Sequence, residues 1–219
     1  MESVKFLVLG HSRSGTAYMA SLLGCFGYQV GHEEVHRDGI SCNGWATYDP
    51  APPWGPGQRT GEYEHVIHVI RHPIDVIASV AYTDSNECWE KNHDAFAHSP
   101  IGVVDGCLAR GMGYCAPTHH RRKYTVQFPE WSHINNVALV YLQWTNMVQA
   151  QGPNLTVQVE NAPDVLAWYL KTPAPSPLPP KNTNGRRHNE VHMHELNEPM
   201  RGAITRFCER WGYEVPEDA

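Results

Sequence analysis

The sequence has few charged residues and no segment suited to entering a membrane. Charged side chains make up 18% of its 219 residues, and the net charge is −6. This balance argues against broad binding to nucleic acid or to anionic membranes. The apolar run at 5–10 is too short for a signal peptide, and no run approaches the roughly 20 residues of a membrane span. We therefore expect a cytoplasmic protein with no membrane span and no nucleic-acid partner.

The cysteines do not form the pattern of a disulfide-rich or zinc-binding protein. The six cysteines include no CxxC pair and are widely spaced along the chain. Reduced thiols in a cytoplasm are the simplest interpretation. A hydrophobic content of 41% suits an ordinary globular protein, and the length suits a single domain over 1–219 with a large core.

Apolar runs and helical periodicities alternate along the chain. The sequence predicts strands over 4–9, 28–30, 65–70 and 155–159, and helices over 16–23, from Pro73 onward, 134–150, 162–171 and 198–211. Most of 31–61 reads as loop, 83–131 gives no clear pattern, and 172–180, with five prolines, reads as an extended spacer. This order predicts an α/β fold with a mainly parallel central sheet flanked by helices.

One short stretch matches a zinc-peptidase motif. Residues 32–36 read His-Glu-Glu-Val-His, and Cys42 stands where the last histidine of the longer HExxHxxGxxH form would be. That motif needs a continuous helix, so that both histidines share one face. Here Gly31 precedes it, Gly39 follows it, and the upstream residues predict a strand. We therefore predict no metal site and keep the zinc peptidase as a lesser alternative.

A glycine loop joins the first predicted strand to the first predicted helix. Gly10 and Gly15 flank four residues, and the backbone N–H groups of such a loop form an anion cradle with the helix N-terminus. A P-loop kinase would continue with Lys and then Ser or Thr, whereas this chain continues with Thr16 and Ala17. The lysine and the Mg²⁺-binding hydroxyl are missing, so a nucleotide or small-molecule kinase is an alternative rather than the leading hypothesis.

Two segments in this order resemble a known family. "GHSRSGTAYMASLL" resembles the 5′-phosphosulfate-binding loop of sulfotransferases that use 3′-phosphoadenosine 5′-phosphosulfate (PAPS). "VIRHPIDVIAS" resembles the 3′-phosphate-binding segment of the same family, with Arg71 and Ser79 eight residues apart. "NTNGRRHNEVHMHEL" is more loosely similar to the loop that closes over the nucleotide, although the family's Arg-Lys-Gly run is absent.

The resemblance implies a P-loop-like phosphosulfate loop over 10–17, an acceptor-side loop over 31–63, a 3′-phosphate segment over 71–79 and a closing loop over 181–190. The implied activity transfers a sulfuryl group from PAPS to a hydroxyl or amine and requires no metal. The product nucleotide is adenosine 3′,5′-bisphosphate. The implied nucleotide-binding residues are His11, Ser12, Arg13, Ser14, Gly15, Thr16, Ala17, Arg71, Ser79, Arg186 and Arg187.

The resemblance also suggests catalytic residues. Arg13 would stabilise the leaving nucleotide. Glu33 would be the general base if "GHE" sets the register, and Glu34 if "EVH" does, with His32 and His36 as partners or replacements. For a small-molecule, carbohydrate or lipid acceptor, the candidate contacts are the aromatic residues Trp45, Tyr48, Trp54 and Tyr141. A non-catalytic nucleotide-binding module is a further alternative.

Overall fold

The computed structural model describes residues 5–11, 13–42, 63–81, 131–150, 152–180 and 190–216. Its centre is a five-stranded sheet in the order β2-β3-β1-β4-β5, and every neighbouring pair is parallel. The strands are β1 (Phe6–Leu9), β2 (Val30–His32), β3 (Gly39–Cys42), β4 (His65–Ile70) and β5 (Leu155–Gln158). The predicted α/β class and parallel sheet are confirmed.

The described helices follow the predicted periodicities closely. They are α1 (Thr16–Cys25), α2 (Pro73–Ser79), α3 (His133–Ala150), α4 (Ala162–Leu170) and α5 (Glu198–Trp211). Two short 3₁₀ turns cover Val159–Asn161 and Met193–Glu195, and residues 172–180 contain no helix or strand. Among the helices that the structure describes, none combines the length and hydropathy that a membrane span requires.

The chain divides into two compact units. Unit 1 contains Met1–Arg71 and Trp144–Gly185, and unit 2 contains His72–Gln143 and Arg186–Ala219. Unit 1 therefore holds the whole sheet together with α1, α4 and the end of α3. Unit 2 holds α2, α5 and the beginning of α3.

The core of unit 1 covers one face of the sheet with α1 and α4. Strand β1 is completely buried, as expected for a central strand of a parallel sheet. Its residues Phe6 and Val8 share a core cluster with Leu22 and Leu23 of α1 and Leu166 of α4. Because alternate strand residues point to opposite faces, the intervening strand residues are left for the other face.

The other face of the sheet meets the end of α3 through a polar contact. His68, at the middle of β4, is buried. The amide nitrogen of Gln149 lies 2.6 Å from His68 Nδ1 and also donates to Thr156 Oγ1 at 2.8 Å. This pairing satisfies a buried imidazole and fixes α3 relative to β4 and β5.

One strand lies within 31–61, most of which the sequence predicted to be loop. Gly39–Cys42 forms β3, which lies between β2 and β1. A Cβ on Gly39 would collide with the carbonyl oxygen of Phe6, and the φ of Gly39 is +143°. Glycine is therefore required where the two backbones pair, although glycine in a short run lowers the strand signal. The correction extends the sheet to five strands.

Unit 2 is held by capping and aromatic contacts. The Asn197 side chain caps α5 by accepting from the Met200 N–H, while the Asn197 N–H donates to the side-chain oxygen of Asn135 on α3. Tyr141 of α3 is 1% exposed, and its ring centroid lies 5.4 Å from that of Phe207 on α5. Tyr141 thus packs inside this unit.

Candidate functional site

The loop between β1 and α1 lies at the carboxyl edge of the sheet and is closely packed on both sides. A Cβ on Gly10 would lie 2.7 Å from Val69 Cγ1, and one on Gly15 would lie 2.5 Å from Val159 Cγ2. Gly15 has a φ of +99°, and Arg13, although not a glycine, has a φ of 71°. Left-handed backbone at a non-glycine residue is uncommon, and it concentrates at functional sites.

This loop presents hydrogen-bond donors at the start of α1. The first N–H groups of an α-helix have no intrahelical acceptor, and they carry the positive end of the helix dipole. Within the part of the chain that the structure describes, Ser14 Oγ is fully buried and has no hydrogen-bond partner. A buried hydroxyl without a partner costs about 1–3 kcal/mol. The loop therefore holds a buried hydroxyl without a described partner beside the N-terminus of α1, a combination that suits an anion.

The end of β2 contacts the same loop. His32 Nε2 lies 3.2 Å from Thr16 Oγ1, the first residue of α1. Ser41 on β3 fixes Thr16 from another side, because its hydroxyl donates to the Thr16 carbonyl at 2.7 Å. Glu33 follows directly, with a carboxylate oxygen 3.7 Å from His32 Nε2 and a φ of 59°. The structure thus places an imidazole and a carboxylate beside the loop.

Partial burial affects the ionisation of His32. Desolvation lowers the pKa of His32 below its ordinary value of 6.5, although 43% of its side chain is exposed. Burial disfavours the charged imidazolium and therefore favours the neutral ring. A neutral imidazole accepts or donates through Nε2 according to its tautomer.

Glu34 and His36 form a separate pair. Their side chains approach to 3.7 Å, and the Glu34 side chain is 79% exposed, compared with 30% for Glu33. A Cβ on Gly31 would collide with the Glu34 carbonyl oxygen, so the chain turns back tightly over this glycine. Residues 32–36 therefore do not form the helix that a zinc-peptidase motif requires. In the described residues, no group of three or more His, Cys, Asp or Glu side chains is arranged to hold a metal ion.

His11 and Trp144 pack together where the loop leaves β1. Both side chains are 4% exposed, and their rings meet edge to face with centroids 5.9 Å apart. Within the described part of the chain, Trp144 Nε1 is buried without a partner. Helix α3 runs back toward the amino edge before β5, so Trp144 lies nearer the carboxyl edge than Gln149 does.

The remaining predicted site residues are placed as follows. Ala17 is exposed in the first turn of α1, and Arg71 is partly exposed directly after β4. Ser79 is buried at the end of α2 and belongs to unit 2. Arg71 belongs to unit 1, as the last residue of its first segment. The other predicted residues lie outside the described residues: Ser12, Trp45, Tyr48, Trp54, Arg186 and Arg187.

Sequence reasoning missed two contributors to this site. Ser41 lies on the unpredicted strand β3, and only the pairing of β3 with β1 brings its hydroxyl to Thr16. Val159, the first residue of the 3₁₀ turn that follows β5, packs against Gly15. A buried polar residue in a strand would have been the available signal for Ser41. No local pattern indicates the contact of Val159.

The described residues thus define an α/β protein whose strand-loop-helix unit carries one buried hydroxyl without a partner, Ser14 Oγ, beside a His-Glu pair. No family model matches this chain, and searches of curated proteins and of solved structures also found no match.

Proposed function

We propose that the chain is a sulfotransferase that moves a sulfuryl group from PAPS to a hydroxyl or amine acceptor. The observation that carries the proposal is the contact between His32 and Thr16. It joins the glycine loop, which resembles a phosphosulfate-binding loop, to the carboxylate of Glu33. An anion site and a general base at one sheet edge are the two parts that this reaction needs.

The residues of the loop fit a phosphosulfate group. The positive φ of Gly15 and its close approach to Val159 give the turn that points backbone N–H groups toward a bound oxyanion. Ser14 Oγ supplies a further donor, and Arg13 supplies a positive charge within the loop. Arg71 directly follows β4, where a planar guanidinium suits the 3′-phosphate.

The proposed step is an in-line transfer. The acceptor oxygen forms a new bond to sulfur while the bond between sulfur and the bridging phosphate oxygen breaks. The acceptor proton moves to the Glu33 carboxylate. The negative charge that develops on the departing adenosine 3′,5′-bisphosphate is met by Arg13 and by the N–H groups of α1, so this step requires no metal.

The geometry favours Glu33 over Glu34 as the base. Glu33 is the less exposed carboxylate and lies beside the imidazole that contacts the loop, whereas Glu34 pairs with His36. The "GHE" register is therefore the one we propose.

The test of nucleotide binding needs no known acceptor. We expect adenosine 3′,5′-bisphosphate to raise the melting temperature far more than AMP, because AMP lacks the 3′-phosphate. A ligand at about 100 times its Kd adds about 2.7 kcal/mol to the free energy of unfolding. Arg71→Ala should remove the difference between the two nucleotides. Greater stabilisation by ATP with Mg²⁺ would favour a kinase and overturn the proposal.

Turnover then assigns the base. With labelled PAPS and a panel of sugar, lipid and phenol acceptors, Glu33→Gln should slow transfer by about 10²–10⁴. Glu34→Gln is the matched control in the same turn and should be mild. Arg13→Ala should slow transfer by about 10²–10³ at saturating PAPS. A reversed ranking of the two glutamates would move the base to Glu34.

A further inference from the structure

His32 stands between the two parts of the proposed site. Its Nε2 lies 3.2 Å from Thr16 Oγ1 and 3.7 Å from Glu33 Oε1. One ring nitrogen therefore lies near both the anion loop and the proposed general base. Thr16 is itself held from β3 by Ser41. A change in the protonation of His32 therefore acts directly on its hydrogen bond to Thr16 and needs no movement of the backbone.

The direction of the hydrogen bond between Thr16 and His32 depends on the charge of the ring. A neutral His32 with its proton on Nδ1 accepts the Thr16 hydroxyl proton at Nε2. An imidazolium carries a proton on both nitrogens, so Nε2–H donates to Thr16 Oγ1 instead. The Thr16 hydroxyl is then free to donate to an oxyanion at the loop.

We infer that His32 is a positioning residue that couples the binding of one proton to the binding of an anion at the loop over 10–17. The inference rests on the proposed anion site and adds a property that the site does not need for transfer. Where the neutral ring carries its proton on Nδ1, protonation releases the Thr16 donor, and for either tautomer it adds a positive charge near the anion. Both effects act in the same direction, so the anion and the proton each strengthen the binding of the other.

The surroundings of His32 agree with this coupling. Partial burial lowers the pKa of His32, and a bound oxyanion would oppose that effect by favouring the charged ring. Besides Glu33, the titratable groups on the described adjoining loops and elements are His11 and Arg13 before α1, Tyr18 and Cys25 on α1, Tyr28 before β2, Glu34, His36, Arg37 and Asp38 after β2, and Cys42 at the end of β3.

The probe for the test is adenosine 5′-phosphosulfate, because its phosphosulfate group stays fully ionised throughout the range in which histidine titrates. Calorimetric titrations at about pH 6, in buffers of different ionisation enthalpy, count the protons taken up on binding. We expect net uptake of a fraction of one proton per bound probe. We also expect binding about tenfold tighter at pH 6 than at pH 8, within the usual range of coupling between two sites.

Two histidine variants locate the coupled group. His32→Asn should bind the probe without proton uptake and with an affinity that no longer depends on pH. His36→Asn is the matched control, since it removes a histidine from the same turn that pairs with Glu34 instead of the loop. It should retain the uptake of the unmodified protein. Uptake that persists in His32→Asn, or that disappears in His36→Asn, would overturn the assignment.

A measurement on the unmodified protein keeps the test independent of the variants. Following the imidazole resonance of His32 by NMR while adding sulfate should show a rise in the pKa of His32. Thr16→Val should weaken the coupling, whereas Thr16→Ser should keep it. Probe binding without proton uptake would refute the coupling and leave the sulfotransferase proposal standing. No binding of the probe or of adenosine 3′,5′-bisphosphate would overturn both.

Discussion

Replacing Gly15 by alanine tests how closely the loop is packed against Val159, the residue that follows β5. The new Cβ would lie 2.5 Å from Val159 Cγ2 and 3.2 Å from Val159 Cβ, on a backbone with a φ of +99°. Valine is stiff about χ1, so it cannot rotate its methyl groups away freely. Two independent costs therefore add in this variant.

The expected loss in the free energy of unfolding is the sum of those two costs. Holding alanine in the left-handed region costs about 1–2 kcal/mol, and overpacking costs about 1–3 kcal/mol. We expect Gly15→Ala to lower the free energy of unfolding by about 2–5 kcal/mol, the sum of these terms. Urea unfolding followed by circular dichroism measures the change, provided that the slope with urea stays constant.

A double-mutant cycle separates the steric part from the backbone part. In a Val159→Ala background, Gly15→Ala should cost about 1–3 kcal/mol less than in the unmodified protein, because the colliding methyl groups are gone. Gly24→Ala is the control, since a Cβ at this position in α1 meets nothing within 4 Å. It should stabilise the protein by about 0.5–1 kcal/mol. An equal cost of Gly15→Ala in both backgrounds would refute the packing argument.

Three further predictions concern single groups. Ser14→Ala removes a buried hydroxyl without a partner among the described residues. It should raise the free energy of unfolding by about 1 kcal/mol in urea and weaken bisphosphate binding in calorimetry. A loss of stability would contradict this. The hydrogen bond from Arg37 lowers the pKa of Asp38 below 3.8. The stability that the ionised Asp38 contributes is therefore present above about pH 4 and is lost as the pH falls through the lowered pKa. The free energy of unfolding of Asp38→Asn should depend less on pH in this acidic range. Burial raises the pKa of Cys208 to about 11, so mass mapping after brief alkylation should find exposed Cys25 modified and Cys208 intact.

The elements that the sequence predicted correctly depend on local patterns. Apolar runs such as Phe6–Leu9 are typical of buried parallel strands, and the 3.6-residue periodicity of 198–211 is enough to predict α5. Pro73 marks the start of α2 because its ring suits the first turn of a helix. The glycine pair of the loop is equally local, so the position of the candidate anion site was predictable.

The parts decided by tertiary structure depend on contacts between distant residues. Strand β3 carries a weak local signal and exists because Gly39 lets its backbone pair with Phe6. The tight turn over Gly31 prevents a helix at the histidine pair and directs His32 toward Thr16, 16 residues earlier. No periodicity encodes such a contact, because it depends on which strands become neighbours. The sequence by itself therefore determined the α/β order and the loop, whereas strand pairing in the folded chain decided which histidine and which glutamate stand beside that loop.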